Sequence, residues 1–336
     1  MLAPTMTRIF RDADAPLEPL SGRKVAVIGY GNQGSAWATN LRDSGVDVLV
    51  GTVADSSRRA AADDGFPAHE VPDAVAEADA VCLLIPDEVM GDVFREKIEP
   101  ALRPGAAVCF ASGYAVAFGE VTVPAHADAV LVAPRMIGVG VRDSYVDGSG
   151  FIAFIGVEQD ATGNALPVAL AIARGIGATR RGSVETTFKQ EAMVDLFVEQ
   201  GIAPALSKVW RDSAMVLLEA GIPLEAILVE FYLSGEIERT YRAMREIGPT
   251  RQWQLHSQTS QYGTLSRGER FADIDTVERF RAVLEEISSG AFAKEWEAER
   301  AAGYPRFHAL RESERGDALM DFEDSIRARF SPPGDS

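Results

Sequence analysis

Asp195 and Glu199 stand four residues apart in the apolar run Phe188-Lys-Gln-Glu-Ala-Met-Val-Asp-Leu-Phe-Val-Glu-Gln200. On a helix that spacing puts both carboxylates on one face, one turn apart. Two acids on an apolar helix are costly unless a cation meets them, and a hard ion such as Mg²⁺ suits their oxygens. Far upstream, Gly29-Tyr30-Gly31-Asn32-Gln33-Gly34 follows an apolar run and opens a helical pattern. In that setting a G-x-G-x-x-G motif cradles a dinucleotide. Gly29 permits the tight turn, Gly31 lets backbone approach the pyrophosphate, and Gly34 lets helix and strand pack closely. The diphosphate would lie on the helix N-terminus, where free N–H groups and the dipole favour negative charge. A nucleotide cofactor plus a carboxylate metal site is a narrower idea than either alone.

The tip of the second strand bears on which nicotinamide cofactor is used. Val50-Gly51-Thr52 carries no acid there, and Asp55-Ser56-Ser57-Arg58-Arg59 follows. Hydroxyl and guanidinium groups suit a 2′-phosphate, so NADPH is expected ahead of NADH. Asp55 argues the other way, because an acid at this place serves the free ribose hydroxyls. One of Arg58 and Arg59 is expected to be no more than a solvated helix start.

These residues need a scaffold, and the pattern supplies one. Lys24–Gly29, Val46–Val50, Ala80–Ile85, Ala107–Ala111, Ala129–Ala133 and Phe151–Val157 read as strands. Helical patterns run over Asn32–Gly45, Asp87–Leu102 and Gly163–Gly175. Continuous apolar strands separated by helices predict a mostly parallel sheet covered on both faces. Near Ser183–Thr187 the strand signals stop. Helices are then expected over Phe188–Glu219, Leu224–Ile247 and Val277–Glu299, with Gly290 a weak point in the last, and Phe330–Ser336 as a frayed tail. The fold class is α/β: a Rossmann-type dinucleotide domain over residues 1–187, then an all-helical domain over 188–330.

With 336 residues and a net charge of −17, the chain is an acidic protein of one or two domains. That charge argues against nucleic acid and anionic membrane surfaces as partners. No apolar stretch reaches spanning length, and the start lacks the apolar core of a signal peptide. Cys82 and Cys109 fall in strand-like runs and read as reduced, buried thiols of a cytoplasmic protein. His69 and His126 read as surface residues, and Trp210, Trp253 and Trp296 as packing or dimer contacts. His256 is a candidate proton donor at neutral pH.

Together these stretches resemble the ketol-acid reductoisomerase family. The likeness runs from about residue 8 to 270 and rests on Gly29–Gly34, Leu41–Val48, Leu84-Ile-Pro86-Asp-Glu-Val89, Val132-Ala-Pro134, Thr186-Thr-Phe-Lys189, Asp195–Gln200 and Gln261-Tyr-Gly263. It places Pro86 and Gly138 on the cofactor side. The length resembles the short form, which implies an intertwined homodimer with a knotted helical domain. Family enzymes isomerise a 2-aceto-2-hydroxy acid by alkyl migration at two Mg²⁺ ions, then reduce the resulting 2-keto acid with nicotinamide hydride. The resemblance makes Asp195, Glu199 and Glu230 metal ligands and Ser257 a contact for the substrate carboxylate.

Several positions depart from the family pattern. The fourth carboxylate, one turn after Glu230, is Ser234, and Glu236 would need a local register change to replace it. The family's Ala-His-Gly reads Ala111-Ser112-Gly113, and its Ala-Pro-Lys-Gly-Pro-Gly reads Ala133-Pro-Arg135-Met-Ile-Gly138. Arginine keeps the lysine charge but not its compact geometry. These changes spare the nucleotide motif and fall on the chemistry. The expectation is a reductase acting on a small 2-keto acid or imine, with the isomerase step lost or altered and one Mg²⁺ or none. The alternatives are a working ketol-acid reductoisomerase, a non-catalytic nucleotide-binding protein, and a reductase whose carboxylates serve as proton donors or ion-pair members.

Overall fold

The computed structural model describes residues 7–315 and 318–330; the tail expected over Phe330–Ser336 lies almost wholly outside them. The chain forms two compact units that divide between Asp195 and Leu196.

The first unit is built on nine strands: β1 (Ile9–Phe10), β2 (Lys24–Ile28), β3 (Asp47–Gly51), β4 (Ala68–His69), β5 (Ala80–Leu83), β6 (Ala107–Phe110), β7 (Asp128–Pro134), β8 (Ala153–Gln159) and β9 (Ser183–Glu185). They form one sheet in the order β1-β9-β8-β7-β6-β5-β2-β3-β4. The pairs from β4 through β7 are parallel, as is β8–β9. The β7–β8 and β1–β9 pairs are antiparallel. Apolar runs predict buried strands but not their direction. The short strands β1, β4 and β9 carry too few residues to announce themselves, and half-buried His69 sits on β4 rather than in a surface loop.

Alternation along the strands makes two cores. Val25, Val27, Cys82, Cys109, Val130 and Val132 face one side with Trp37, Leu41 and Ile172. Ala26, Ile28, Val81, Leu83, Val108 and Phe110 face the other with Val75, Phe94, Ile98 and Phe188. Such two-residue periodicity, apolar on both phases, is what a doubly covered sheet requires. Cys82 and Cys109 are register partners on β5 and β6, both free and buried. Burial pushes the Cys109 thiol well above its usual range, so these sulfurs act as packing groups.

The helices of this unit are α1 (Asn32–Asp43), α2 (Ser56–Asp63), α3 (Val71–Glu77), α4 (Asp87–Val93), α5 (Tyr114–Ala117), α6 (Gly138–Val146), α7 (Ala165–Ile176) and α8 (Phe188–Phe197). A reciprocal cap starts α8: the Gln190 amide N–H donates to Thr187 Oγ1 at 3.1 Å, and the Thr187 N–H donates to Gln190 Oε1 at 3.2 Å. Phe188, Glu191 and Ala192 are buried. The start of α8 therefore packs against the sheet.

The second unit contains α9 (Ala203–Glu219), α10 (Leu224–Leu228), α11 (Glu236–Ile247), α12 (Gln258–Arg267), α13 (Val277–Ser288), α14 (Ala291–Ala301), α15 (Pro305–Arg315) and α16 (Ala318–Phe330). Wide π turns at Val198–Ile202 and Val229–Leu233 interrupt the α geometry. Gly235 and Gly290, with φ of 75° and 76°, break two of the long helices read from the sequence. Trp210 stacks on Tyr232 and Trp296 packs on Tyr304 and Phe307, so these indoles are packing groups. Only Ala214 of α9 is buried, while Leu206, Val209, Trp210, Met215 and Val216 are exposed. No described helix is long and apolar enough to cross a membrane.

Candidate active site

The nucleotide motif sits where the strand order reverses, with β3 on one side of β2 and β5 on the other. Ligands bind open α/β sheets at such a point, outside the carboxyl ends of the strands. A cleft of about 580 Å³ opens there. Gly29, Tyr30, Gly31, Asn32, Gln33, Asp55, Ser57, Pro86 and Ser112 all line it, along with Leu84 and Ile85.

Each glycine of the motif has a distinct task. Gly29 has φ +94°, and a Cβ on Gly34 would stand 2.1 Å from the Gly29 carbonyl oxygen. A Cβ on Gly31 would meet nothing within 4 Å. Protein packing therefore does not require Gly31 to be bare, whereas a ligand laid on the start of α1 does. Gly138 acts from behind: its Cβ would stand 2.0 Å from the Asn32 carbonyl oxygen, so only glycine lets the start of α6 abut the start of α1. Gln33 donates to the Met136 carbonyl at 2.9 Å. Its Oε1 is buried and has no hydrogen-bond partner, an acceptor ready for a bound donor. The Tyr30 side chain turns inward, donating to Asp64 at 2.8 Å; it braces the motif from the protein side. These features fit a nicotinamide dinucleotide.

The adenosine end differs in detail from the sequence reading. Asp55 caps α2, accepting from the Ser57 N–H at 2.9 Å and the Ser57 hydroxyl at 2.5 Å. Those two bonds, the hydroxyl first, hold the Asp55 carboxyl below its usual range. Arg58 is committed to the Thr52 carbonyl at 2.7 Å and to Glu70 at 2.6 Å. Ser56 and Arg58 do not line the cleft, whereas Asp55 and Ser57 do.

Next to Ser112 in the chain, Gly113 touches a charged cluster that periodicity could not foresee. Glu191 is buried, and its Oε2 accepts from the Gly113 N–H at 2.6 Å. A Cβ on Gly113 would stand 2.2 Å from the Phe188 carbonyl oxygen, so glycine is what admits the first turn of α8. Arg135 reaches over from the end of β7. Its guanidinium donates to Glu191 Oε1 at 2.8 Å and also to Asp195 Oδ1, and it lies 5.4 Å from the Phe154 ring centroid. Burial pushes the Glu191 carboxyl up to about 7; the Gly113 N–H opposes this, Asp195 adds to it, and Arg135 opposes it. Ser112 accepts from the Tyr114 N–H at 3.2 Å and borders both cleft and cluster.

In the second unit Glu199 lies on the first π turn and Glu230 on the other, both exposed. The Ser234 N–H bonds to Val229 O at 3.1 Å, Gly235 turns left-handed, and Glu236 begins α11. The π turn and the left-handed Gly235 lie between Glu230 and Glu236 and change the helical register there. Ser257 is the N-cap of α12, its Oγ accepting from the Ser260 N–H at 3.2 Å. His256 Nε2 lies 3.2 Å from Gln252 Oε1.

A dinucleotide cleft at a sheet switch point, with Ser112 on its wall and a charged cluster at the adjoining Gly113, is the arrangement of a nicotinamide-dependent oxidoreductase. Residues 19–182 match the acetohydroxy acid isomeroreductase NADPH-binding domain, and residues 188–331 match the ketol-acid reductoisomerase C-terminal domain. The chain belongs to the ketol-acid reductoisomerase family. It is 43% identical over 326 residues to "Putative ketol-acid reductoisomerase 3" of Saccharolobus solfataricus, covering 95% of this chain and 98% of that protein. The structure is similar to an NADH-preferring ketol-acid reductoisomerase from an uncultured archean, with TM-score 0.91, 32% identity, and 97% and 100% of the two chains covered. A semialdehyde dehydrogenase NAD-binding protein from Cupriavidus necator shares the fold alone, with TM-score 0.61, 22% identity, and 79% and 98% covered.

The residues present differ from the family's Mg²⁺ site at two places. Among the described residues no three His, Cys, Asp or Glu side chains group as a metal site. Asp195 is held by a guanidinium, and the fourth carboxylate is Ser234.

Proposed function

We propose that this chain is an NAD(P)H-dependent reductase of small 2-keto acids or imine-type acceptors, and that it has lost the alkyl-migration half of the family reaction. The Arg135–Asp195 ion pair carries this reading. Alkyl migration needs alkoxide and ketone oxygens held together by two divalent ions, whereas hydride transfer needs only a positioned acceptor and a polarised double bond. The bound nicotinamide supplies hydride, two electrons and one hydrogen, to the carbon of C=O or C=N. A proton from solvent reaches the oxygen or nitrogen, giving an alcohol or amine and oxidised nicotinamide.

The chain's own residues set up that step. The start of α1 would hold the pyrophosphate, and the unpartnered Gln33 Oε1 would accept from the cofactor. Arg135 keeps three of its five N–H donors beyond its two carboxylate bonds, and these can hold a substrate carboxylate or polarise the acceptor. Ser112 stands where the family has histidine and contributes a hydroxyl to the same wall. Ser257 is the residue proposed to meet the substrate carboxylate from the helical unit.

NADH is used at least as well as NADPH on this proposal. Arg58 is spent on Glu70 and Thr52, the Ser57 hydroxyl is spent on Asp55, and the Asp55 carboxylate lines the cleft. An acid there suits a ribose diol and opposes a 2′-phosphate. The exposed apolar side chains of α9 support a homodimer, as expected for the short, knotted form of the family. The cytoplasm is the proposed location.

The retained Asp195, Glu199 and Glu230 favour a second reading, a working reductoisomerase. Following NADH and NADPH oxidation against 2-keto acids, cyclic imines and 2-acetolactate, with and without Mg²⁺, separates the two. Turnover of a 2-keto acid or imine without 2-acetolactate turnover is expected. Mg²⁺-dependent conversion of 2-acetolactate to the dihydroxy acid would overturn the proposal, and cofactor binding with no turnover on any acceptor would point to a non-catalytic protein.

A further inference from the structure

Arg135 is held from four sides. Its backbone N–H donates to the Ile152 carbonyl at 2.9 Å. Its guanidinium lies against Phe154, and two of its N–H groups bridge Glu191 and Asp195. Glu191 is itself fixed, buried and anchored on the Gly113 N–H. A lysine on the same backbone has one compact charge and no planar fork, so it would meet the two carboxylates and the Phe154 ring with a different geometry. The exchange to arginine therefore changes what Asp195 sees. The first of the expected metal ligands meets a permanent cation of its own chain.

We propose that Arg135 takes the place of the divalent ion at Asp195, so that this chain binds no Mg²⁺ there and its hydride transfer runs without a divalent metal. Asp195 keeps a second oxygen, Oδ2, but an ion on it would stand one carboxylate width from the guanidinium. Like charges that close repel strongly where water is partly excluded, and the side chains of Arg135 and Asp195 are only 31% and 34% exposed. After Glu230 the chain offers the Ser234 hydroxyl, which accepts the Glu236 N–H at 3.3 Å, and Gly235 then ends the helix. A site with one anion fewer, and a guanidinium hydrogen-bonded to Asp195 where a compact ammonium would stand, departs from the charge arrangement that suits hard divalent ions.

The catalytic half of this inference rests on the reductase reading, and the binding half does not. The direct test is Mn²⁺ binding to the full-length protein, read by the loss of the free-ion electron paramagnetic resonance signal, without substrate. Wild type is expected to bind no Mn²⁺ that Asp195→Asn removes. Arg135→Ala is expected to bind at least about tenfold more tightly than wild type, a change of about 1.4 kcal/mol. Arg135→Lys, which keeps the charge and suits the fold, covers the case in which the alanine variant does not fold, and it is expected to bind more tightly as well. Wild-type binding as tight as in these variants, abolished by Asp195→Asn, overturns the proposal. If wild type binds Mn²⁺ through Asp195 yet still reduces a 2-keto acid or imine and not 2-acetolactate, only the metal inference fails. If it binds none and reduces no acceptor, only the reductase reading fails.

Discussion

Replacing Glu191 by glutamine tests whether the buried carboxyl under Arg135 behaves as its surroundings require. In the unfolded chain a glutamate titrates near 4.5, and in the fold burial moves Glu191 to about 7, with the Gly113 N–H and Arg135 opposing and Asp195 adding. At about 1.36 kcal/mol for each tenfold step in proton affinity, that displacement amounts to about 3 kcal/mol. The folded-state value is raised, so the contribution is fully present below pH 4.5, where both states are protonated. It fades as the unfolded state ionises first and is lost as pH rises through about 7. Between pH 5 and pH 8 wild type should lose about 2.5 kcal/mol from this group, and Glu191→Gln should lose none of it. The glutamine weakens the contact with Arg135 at every pH, but a constant offset cancels in the difference between two pH values. Urea unfolding of wild type and Glu191→Gln at pH 5 and pH 8 reads the quantity directly. Two proteins whose stabilities fall in parallel, within about 0.5 kcal/mol, would refute the account of this site.

Three further perturbations separate folding from binding. Gly31→Leu puts its side chain into open cleft, so its melting temperature should match wild type while NADH and NADPH affinity each fall at least about tenfold, read by fluorescence titration. Gly34→Ala drives a Cβ to 2.1 Å from the Gly29 carbonyl oxygen, and overpacking of this kind should cost about 1–3 kcal/mol in denaturant unfolding. Asp55→Asn removes a carboxylate charge from the cleft and should shift the NADPH-to-NADH ratio of dissociation constants several-fold toward NADPH; an unchanged ratio would place the ribose elsewhere.

The nucleotide half was legible because its signals are local. A strand, three glycines and a helix start fall within a dozen residues, and each glycine is forced by backbone or ligand proximity that leaves a trace in sequence. The loop after β3 was only half legible. Ser56, Ser57 and Arg58 have the chemistry for a phosphate, but Glu70 lies twelve residues downstream of Arg58, and its claim on that side chain has no local mark. Glu191 was within reach, since it precedes Asp195 by one helical turn on the same run. Its partner Arg135 is 56 residues earlier, and only the fold brings the two together. The long helices were drawn too continuous, because apolar periodicity persists through a π turn and a left-handed glycine that redirect the chain. Ser234 was identified as the missing acid by resemblance alone, and the π turn and left-handed glycine that lie between Glu230 and Glu236 had no local mark in the sequence.

The central claim, a retained reductase with a lost isomerase, is tested most directly by offering the two halves of the family reaction separately. Purified protein is incubated with NADH or NADPH and Mg²⁺, once with 2-acetolactate and once with the 3-hydroxy-2-keto acid that alkyl migration would make from it. The dihydroxy acid product is then measured. The account predicts product from the 2-keto acid and none from 2-acetolactate. Comparable product from both would contradict it.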